Sequence, residues 1–211
     1  MLEIRFNKAA KRFQYDWIFR NLDLHVEANS KIAITGSNGS GKSTFLKCLA
    51  GTNPLTKGSI SYSFEGQPVS DADIYKKIVI SAPYMELPEE FSLKELLTFH
   101  FSFKTPISGM SPEDMVKEMY LDEAINKQVS YFSSGMKQRL KLGLCFFSEA
   151  PLLILDEPTS NLDQRGSNWY LDLVQKFGQN RTIFVGSNDA KEYSFCNKSL
   201  NIEDYKQKKA L

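Results

Sequence analysis

At the start of the chain, polar and apolar positions alternate. LEIRF (2–6) and NLDLHV (21–26) place an apolar residue at every second position, the period of a strand with one wet face. Asn29-Ser30 marks a turn, and KIAIT (31–35) is a short β-branched run suited to a central strand. Glycines follow at 36, 39 and 41. Behind them the spacing turns helical, with Phe45, Leu46 and Leu49 on one face and Gly51 where a C-terminal cap belongs. GSISYSFEG (58–66) predicts a strand running into a turn, and KKIVISA (76–82) a buried strand stopped by Pro83.

From 84 to 131 strand signals fade. Ser92 and Glu95 form a capping box ahead of LLTFHF, and Ser111, Pro112 and Asp114 open a second helix. Phe99, Phe101 and Phe103 read either as a docking patch or as a small core of this segment. Ser134 is expected to cap a helix with Met136, Leu140, Leu144 and Phe147 on its face. PLLILDEP (151–158) is an apolar strand ending in acid. A helix over about 165–177 turns Trp169, Tyr170, Leu173, Val174 and Phe177 inward, and RTIFVG (181–186) is another buried strand. The residues after Asn188 suffice for a helix, a short edge element around SLNIED (199–204) and a solvated basic end, KQKKA (206–210).

Strand, glycine loop, helix, then further strands followed by helices predict an α/β fold. The early alternating strands predict an added antiparallel β layer. We read residues 1–211 as one domain, with 84–131 as a small helical insert; no internal repeat or low-complexity linker interrupts it.

Composition narrows the function. The chain is 42% hydrophobic and 24% charged, which argues against disorder. A formal net charge of +1 argues against a nucleic-acid partner. Cys48, Cys145 and Cys196 form no CxxC pair and read as small buried hydrophobes in a reducing compartment. With only His25 and His100, a histidine-based metal centre is not expected. No apolar run approaches the roughly 20 residues that cross a bilayer, and residues 1–20 are charged throughout, unlike a signal peptide. A cytoplasmic location follows as the expectation.

Gly36-Ser37-Asn38-Gly39-Ser40-Gly41-Lys42-Ser43 fits G-x-x-x-x-G-K-[ST], the P-loop pattern. Glycines let successive backbone N–H groups converge on one anion, and the helix behind adds its positive end. Lys42 can reach the β- and γ-phosphates, and the Ser43 hydroxyl, followed by Thr44, can ligate Mg²⁺. A chance glycine-rich turn has no reason to carry Lys-Ser at this offset. LLILDEP supplies the second metal partner: Asp156 arrives at the carboxyl end of an apolar strand, where open sheets bind ligands. Glu157 comes next and can orient and polarise an attacking water.

YFSSGMKQRLKLG (131–143) stands just ahead of that acidic strand. FSSGM (132–136) resembles the signature usually written LSGGQ. The run KQRLKLGLCFFSEAPLLILDEPTSNLD (137–163) keeps the same order and spacing. On these residues the chain resembles the ATP-binding subunit of an ATP-binding-cassette (ABC) transporter, over nearly its whole length. The resemblance implies an ATPase converting ATP and water to ADP and phosphate, with ATP and Mg²⁺ as ligands. It implies that Ser133, Ser134 and Gly135 face the γ-phosphate held by a second copy, in a head-to-tail homodimer or a pair with a close paralogue. Ser160 to Asp163 resemble a loop touching that partner. By residue type Phe13, Tyr15, Trp17 and Phe19 all could stack on adenine; the family's spacing to NLDL selects Phe13. A separate integral membrane permease is implied, with this subunit peripheral on the inner face of the cell membrane.

Three departures stand out. Tyr84 takes the place of a glutamine that reads the metal and water, and it lacks an amide carbonyl. Asn188 stands where the family has a histidine; it can donate a hydrogen bond but carries no charge. The signature has Phe132, Ser134 and Met136 for Leu, Gly and Gln. Two consequences stay open: slow hydrolysis resting on Lys42 and Glu157, or an ATP-dependent clamp or regulatory module with weak turnover. Translation-factor relatives carry two fused modules, DNA-repair relatives a long coiled coil, and a small-molecule kinase would not need FSSGMKQR.

Overall fold

The computed structural model describes residues 1–206, so all of the expected basic end except Lys206 lies outside the described residues. The chain divides into two compact units. One comprises Met1–Ile80, Pro151–Asp156 and the chain from Asn180 on; the other comprises Ser81–Ala150 and Glu157–Gln179.

The first unit holds two sheets. β1 (Leu2–Phe13), β2 (Asp16–Val26), β4 (Lys57–Phe64) and β5 (Gln67–Val69) form an antiparallel sheet in the order β2-β1-β4-β5. β6 (Ile78–Ser81), β7 (Leu152–Asp156), β8 (Thr182–Gly186), β3 (Lys31–Thr35) and β9 (Lys198–Asn201) lie side by side in that order; β7–β8, β8–β3 and β3–β9 are parallel. This is the expected P-loop architecture with its antiparallel layer.

β1 and β2 run further than the alternation at 2–6 and 21–26 predicts. Bulges absorb the break in period, with Lys8 and Asn21 at φ 44° and 51°. The strand expected from residue 76 begins at Ile78, because Lys76 and Lys77 belong to a 3-10 turn.

α1 (Lys42–Leu49) buries Phe45, Leu46 and Leu49 completely, the face its spacing predicts. Each such burial contributes roughly 1.5–3 kcal/mol. The Phe45 ring stacks on Phe6 of β1 at 5.3 Å, meets Phe19 of β2 edge-on at 5.8 Å, and lies 6.3 Å from Phe184 of β8. One helix thus ties both sheets to a common core. Gly51 ends it at φ 73°.

In the second unit, α2 (Leu93–Phe101) and α3 (Pro112–Glu118) carry the expected capping boxes, Ser92 with Glu95 and Ser111 with Asp114. α4 (Ser134–Phe146) is capped by Ser133, not Ser134. Ser133 is extended (φ −65°, ψ 162°), so its hydroxyl accepts the Met136 N–H at 3.2 Å, while Ser134 is already helical. α5 (Gln164–Phe177) is capped by Asp163 and packs on α4 through Phe146–Tyr170 and Phe147–Phe177 edge contacts.

The core of this unit includes Leu93, Leu96, Leu97, Met115 and Met119. Phe99 and Phe103 are 48% and 68% exposed and form no part of it. Among the described residues no α-helix follows Asn188, contrary to expectation; only a 3-10 turn, Ile202–Tyr205, forms there. Asp189 N–H donates to Ser187 Oγ and Lys191 N–H to Asp189 Oδ1, side-chain partners that hold the backbone in turns.

Candidate functional site

The loop between β3 and α1 is shaped by its glycines. Gly36, Gly39 and Gly41 hold φ values of 133°, 75° and 113°, a region other residues rarely enter. A Cβ on Gly41 would stand 2.2 Å from Ile18 Cγ2, so the loop also needs glycine there for close approach to β2. Ser37 and Asn38 are exposed at the loop's outer turn. Ser40 is buried, and its hydroxyl has no hydrogen-bond partner among the described residues.

Lys42 is almost fully buried. Its ammonium donates to Gly36 O at 2.8 Å, Ser37 O at 3.2 Å and Asn188 Oδ1 at 2.9 Å. The Asn188 amide in turn donates to Asn38 Oδ1 at 2.6 Å. The loop and the segment after β8 therefore meet at one cation. A further contact was not legible in the sequence: Ser37 Oγ donates to Glu203 Oε1 at 2.5 Å and holds that carboxyl below its usual pKa.

Asp156 is 1% exposed at the end of β7, paired in register with Gly186 of β8. A Cβ on Gly186 would lie 2.8 Å from Asp156 Oδ1, so this glycine keeps space beside the carboxylate. Ser43 and Thr44 are half-buried in the first turn of α1. A serine hydroxyl and an aspartate are hard oxygen donors, the set that suits Mg²⁺ shared with phosphates. Among the described residues no group of three or more His, Cys, Asp or Glu could hold a metal by itself. The orphaned Ser40 hydroxyl, the glycine-lined loop and this donor pair all fit a Mg²⁺-nucleotide.

Phe13 ends β1 and is 47% exposed, with the Lys11 ammonium 4.9 Å from its ring centre. Phe19 is fully buried in the core.

The second unit carries the remaining expected residues. Ser133, Ser134 and Gly135 open α4, and a Cβ on Gly135 would come within 3.3 Å of Asn161 O, which brings the 160–163 loop against this helix start. Gln138 Nε2 anchors the same loop by donating to Pro158 O at 2.7 Å. Glu157 is exposed and holds φ 45°, an uncommon conformation for this residue. Tyr84 is 41% exposed. Lys141 of α4 donates to both Ala82 O and Pro83 O at 3.3 Å, just before Tyr84, and Lys137 pairs with Glu89. Burial, then the neighbouring Lys137, lowers the Lys141 pKa. The i, i+4 lysine pair was visible in the sequence; its partners were not.

Residues 19–160 match the family described as ABC transporter. The uncharacterized ABC transporter ATP-binding protein YybJ of Bacillus subtilis (strain 168) is 29% identical over 194 residues, covering 91% of this chain and 88% of that protein. The lantibiotic transport ATP-binding protein SrtF of Streptococcus pyogenes is 30% identical over 188 residues, covering 87% of this chain and 79% of the relative. A putative ABC transporter ATP-binding protein from Pyrococcus furiosus superposes with a TM-score of 0.79 at 18% identity, covering 97% of this chain and 100% of that one. An ATP-binding cassette solved as a dimer in a post-hydrolysis state, bound to ADP and Pi, superposes with a TM-score of 0.81 at 19% identity over 95% of each chain. At such identities the structures speak to the fold.

Proposed function

This chain belongs to the ABC transporter family, as an ATP-binding subunit that hydrolyses ATP, and on that premise we propose that it drives a separate membrane permease by ATP-dependent closure of two copies. The observation that carries the reading is the convergence of Gly36 O, Ser37 O and Asn188 Oδ1 on the Lys42 ammonium. A cation so held is placed to exchange these neutral acceptors for phosphate oxygens, which bind it more strongly.

In this reading the N–H groups of Gly36 to Ser43 cradle the phosphates, Thr44 supports the helix start, and Phe13 stacks on the base. Ser43 and Asp156 would hold Mg²⁺, whose charge offsets that of the phosphates. Glu157 takes a proton from the attacking water, a role worth roughly 10²–10⁴ in rate. Asn188 orients Lys42, and Tyr84 stands where the family's glutamine reads the water. Ser133, Ser134 and Gly135 present hydroxyls and N–H groups to the γ-phosphate held by the other copy, a homodimer partner or a close paralogue. The exposed Phe99 and Phe103, stacked edge-on at 5.2 Å, suit an apolar surface of the permease. Among the described residues no helix is long and apolar enough to cross a membrane; the transport path is assigned to the permease, with this subunit on its cytoplasmic side.

Steady-state hydrolysis by the parent and Lys42→Ala, together with ATP-dependent dimerisation of Glu157→Gln by light scattering, tests this. We expect hydrolysis in the parent, its loss in Lys42→Ala, and a stable ATP-bound dimer of Glu157→Gln. Parental turnover in Lys42→Ala, or a Glu157→Gln chain that stays single at saturating ATP and Mg²⁺, overturns it.

A further inference from the structure

Glu203 stands outside every motif of the nucleotide site. It lies in the 3-10 turn Ile202–Tyr205 that follows β9. Its carboxylate nevertheless accepts the Ser37 hydroxyl at 2.5 Å, on the outer turn of the glycine loop, 166 positions away. We propose that Glu203 is a positioning residue for ATP binding: it pins the outer turn of the loop through Ser37 Oγ, so that the loop meets the phosphates already ordered. The inference rests on the ATP reading above and adds a residue to it.

The loop gains from a pin outside itself. Gly36, Gly39 and Gly41 sit at φ 133°, 75° and 113°. Glycine loses more backbone freedom on ordering than any other residue. A loop that orders only as the phosphates arrive loses affinity to that ordering; one held beforehand does not.

Ser37 is where such a pin acts on the cation. Its carbonyl accepts both the Lys42 ammonium at 3.2 Å and the Ser40 N–H at 3.0 Å. Holding the Ser37 side chain therefore also holds the turn from Ser37 to Ser40 and one of the three acceptors of Lys42. The same segment touches the loop a second time: a Cβ on Gly36 would stand 3.2 Å from Asn201 Oδ1.

A pin must itself be fixed. Asn201, the last residue of β9, is paired with Thr35, the last residue of β3. Its side chain accepts the Glu203 N–H at 3.0 Å and caps the turn. Ile202, between them, is fully buried in the core. Glu203 thus projects from an anchored turn. Among the described residues it forms no ion pair. Its hydrogen bond goes to a neutral hydroxyl, and a bond to an ionised acceptor is stronger than one between neutral groups.

A carboxylate near a phosphate site would otherwise act by charge alone and repel ATP. The two roles differ in sign, and isothermal titration of ATP with Mg²⁺ into the full chain separates them. We expect Glu203→Ala to raise the ATP Kd about five- to tenfold, with kcat at saturating ATP unchanged. Amide exchange at Ser40, whose N–H donates to Ser37 O, should be faster in that variant without nucleotide and parental once ATP is bound. Glu203→Gln keeps an acceptor oxygen without the charge and should bind ATP as the parent does. Ser37→Ala should weaken binding by the same factor as Glu203→Ala, and the double variant no further, because each removes one and the same contact. Parental or tighter binding in Glu203→Ala, Glu203→Gln with the affinity of Glu203→Ala, additive losses in the double variant, or unaltered exchange at Ser40 overturns the proposal and leaves the ATP reading standing. A parent chain that binds no ATP overturns both.

Discussion

The Lys42 ammonium lies 2.9 Å from Asn188 Oδ1, and the other end of that amide reaches Asn38 Oδ1 at 2.6 Å. Asn188 therefore accepts from the lysine and donates to the loop at once. A neutral histidine can do both with its two ring nitrogens; a protonated one only donates and repels Lys42. Asparagine makes the link without a group that titrates near neutrality.

Removing that amide should cost turnover. Asn188→Ala leaves Lys42 two loop carbonyls, and a hydrogen bond to a charged group is worth about 1.5–3 kcal/mol. We expect kcat at saturating ATP to fall at least about tenfold. Asn188→His should work at pH 8 and lose activity below about pH 6.5, where imidazole protonates. A pH-independent Asn188→His enzyme, or an Asn188→Ala enzyme at the parental rate, would remove Asn188 from the site.

Lys141 ties α4 to the backbone ahead of Tyr84 through Ala82 O and Pro83 O. Lys141→Met keeps the aliphatic stem and loses both hydrogen bonds. We expect faster amide exchange at Met85, whose N–H bonds to Ala82 O at 3.1 Å, and a kcat lowered several-fold with ATP affinity unchanged. Unaltered exchange at Met85 would show that the lysine is not what holds this segment.

His100 sets a pH dependence of stability. Burial, then the nearby Lys104, pushes its pKa from the usual 6.5 to about 4, and its Nε2 lies 2.9 Å from Ser148 Oγ. Between those values the unfolded chain binds a proton that the folded chain does not. Stability is thus fully present above pH 6.5 and declines as the pH falls towards 4. The urea midpoint should drop from pH 7 to pH 5 in the parent and less in His100→Gln; equal drops in both would assign the effect to other groups.

Phe13 is exposed at the end of β1, so its replacement leaves the core untouched. Base stacking on an aromatic ring is worth about 1–3 kcal/mol. Phe13→Ala should raise the ATP Kd by about 5- to 150-fold with little change in melting temperature, read by isothermal titration. Tyr15→Ala, changed at a residue 91% exposed in the hairpin turn, serves as the control; the reverse pattern would move the base to Tyr15.

Several features failed to show in the pattern for definite reasons. Ser133 and Ser134 are chemically equal caps, and the choice rests on which one the preceding 3-10 turn, Val129–Tyr131, leaves extended. The apolar spacing of Phe99 and Phe103 is compatible with a core; only packing against Leu93, Leu96 and Met115 elsewhere leaves them in water. The bulges at Lys8 and Asn21 are invisible because left-handed lysine has no sequence signature.

By itself the sequence determined what depends on neighbours along the chain. The glycine loop with Lys42 and Ser43, the buried strand ending at Asp156 and the two capping boxes are local chemistry, set by φ preferences and short side-chain reach. Tertiary structure decided what depends on residues far apart meeting. Lys42 finds Asn188 across 146 positions because β3 and β8 are paired, and Gly186 keeps room for Asp156 because β7 and β8 are in register. Sheet pairing selects those partners through burial and hydrogen bonding summed over whole strands, a sum that no short stretch of sequence contains.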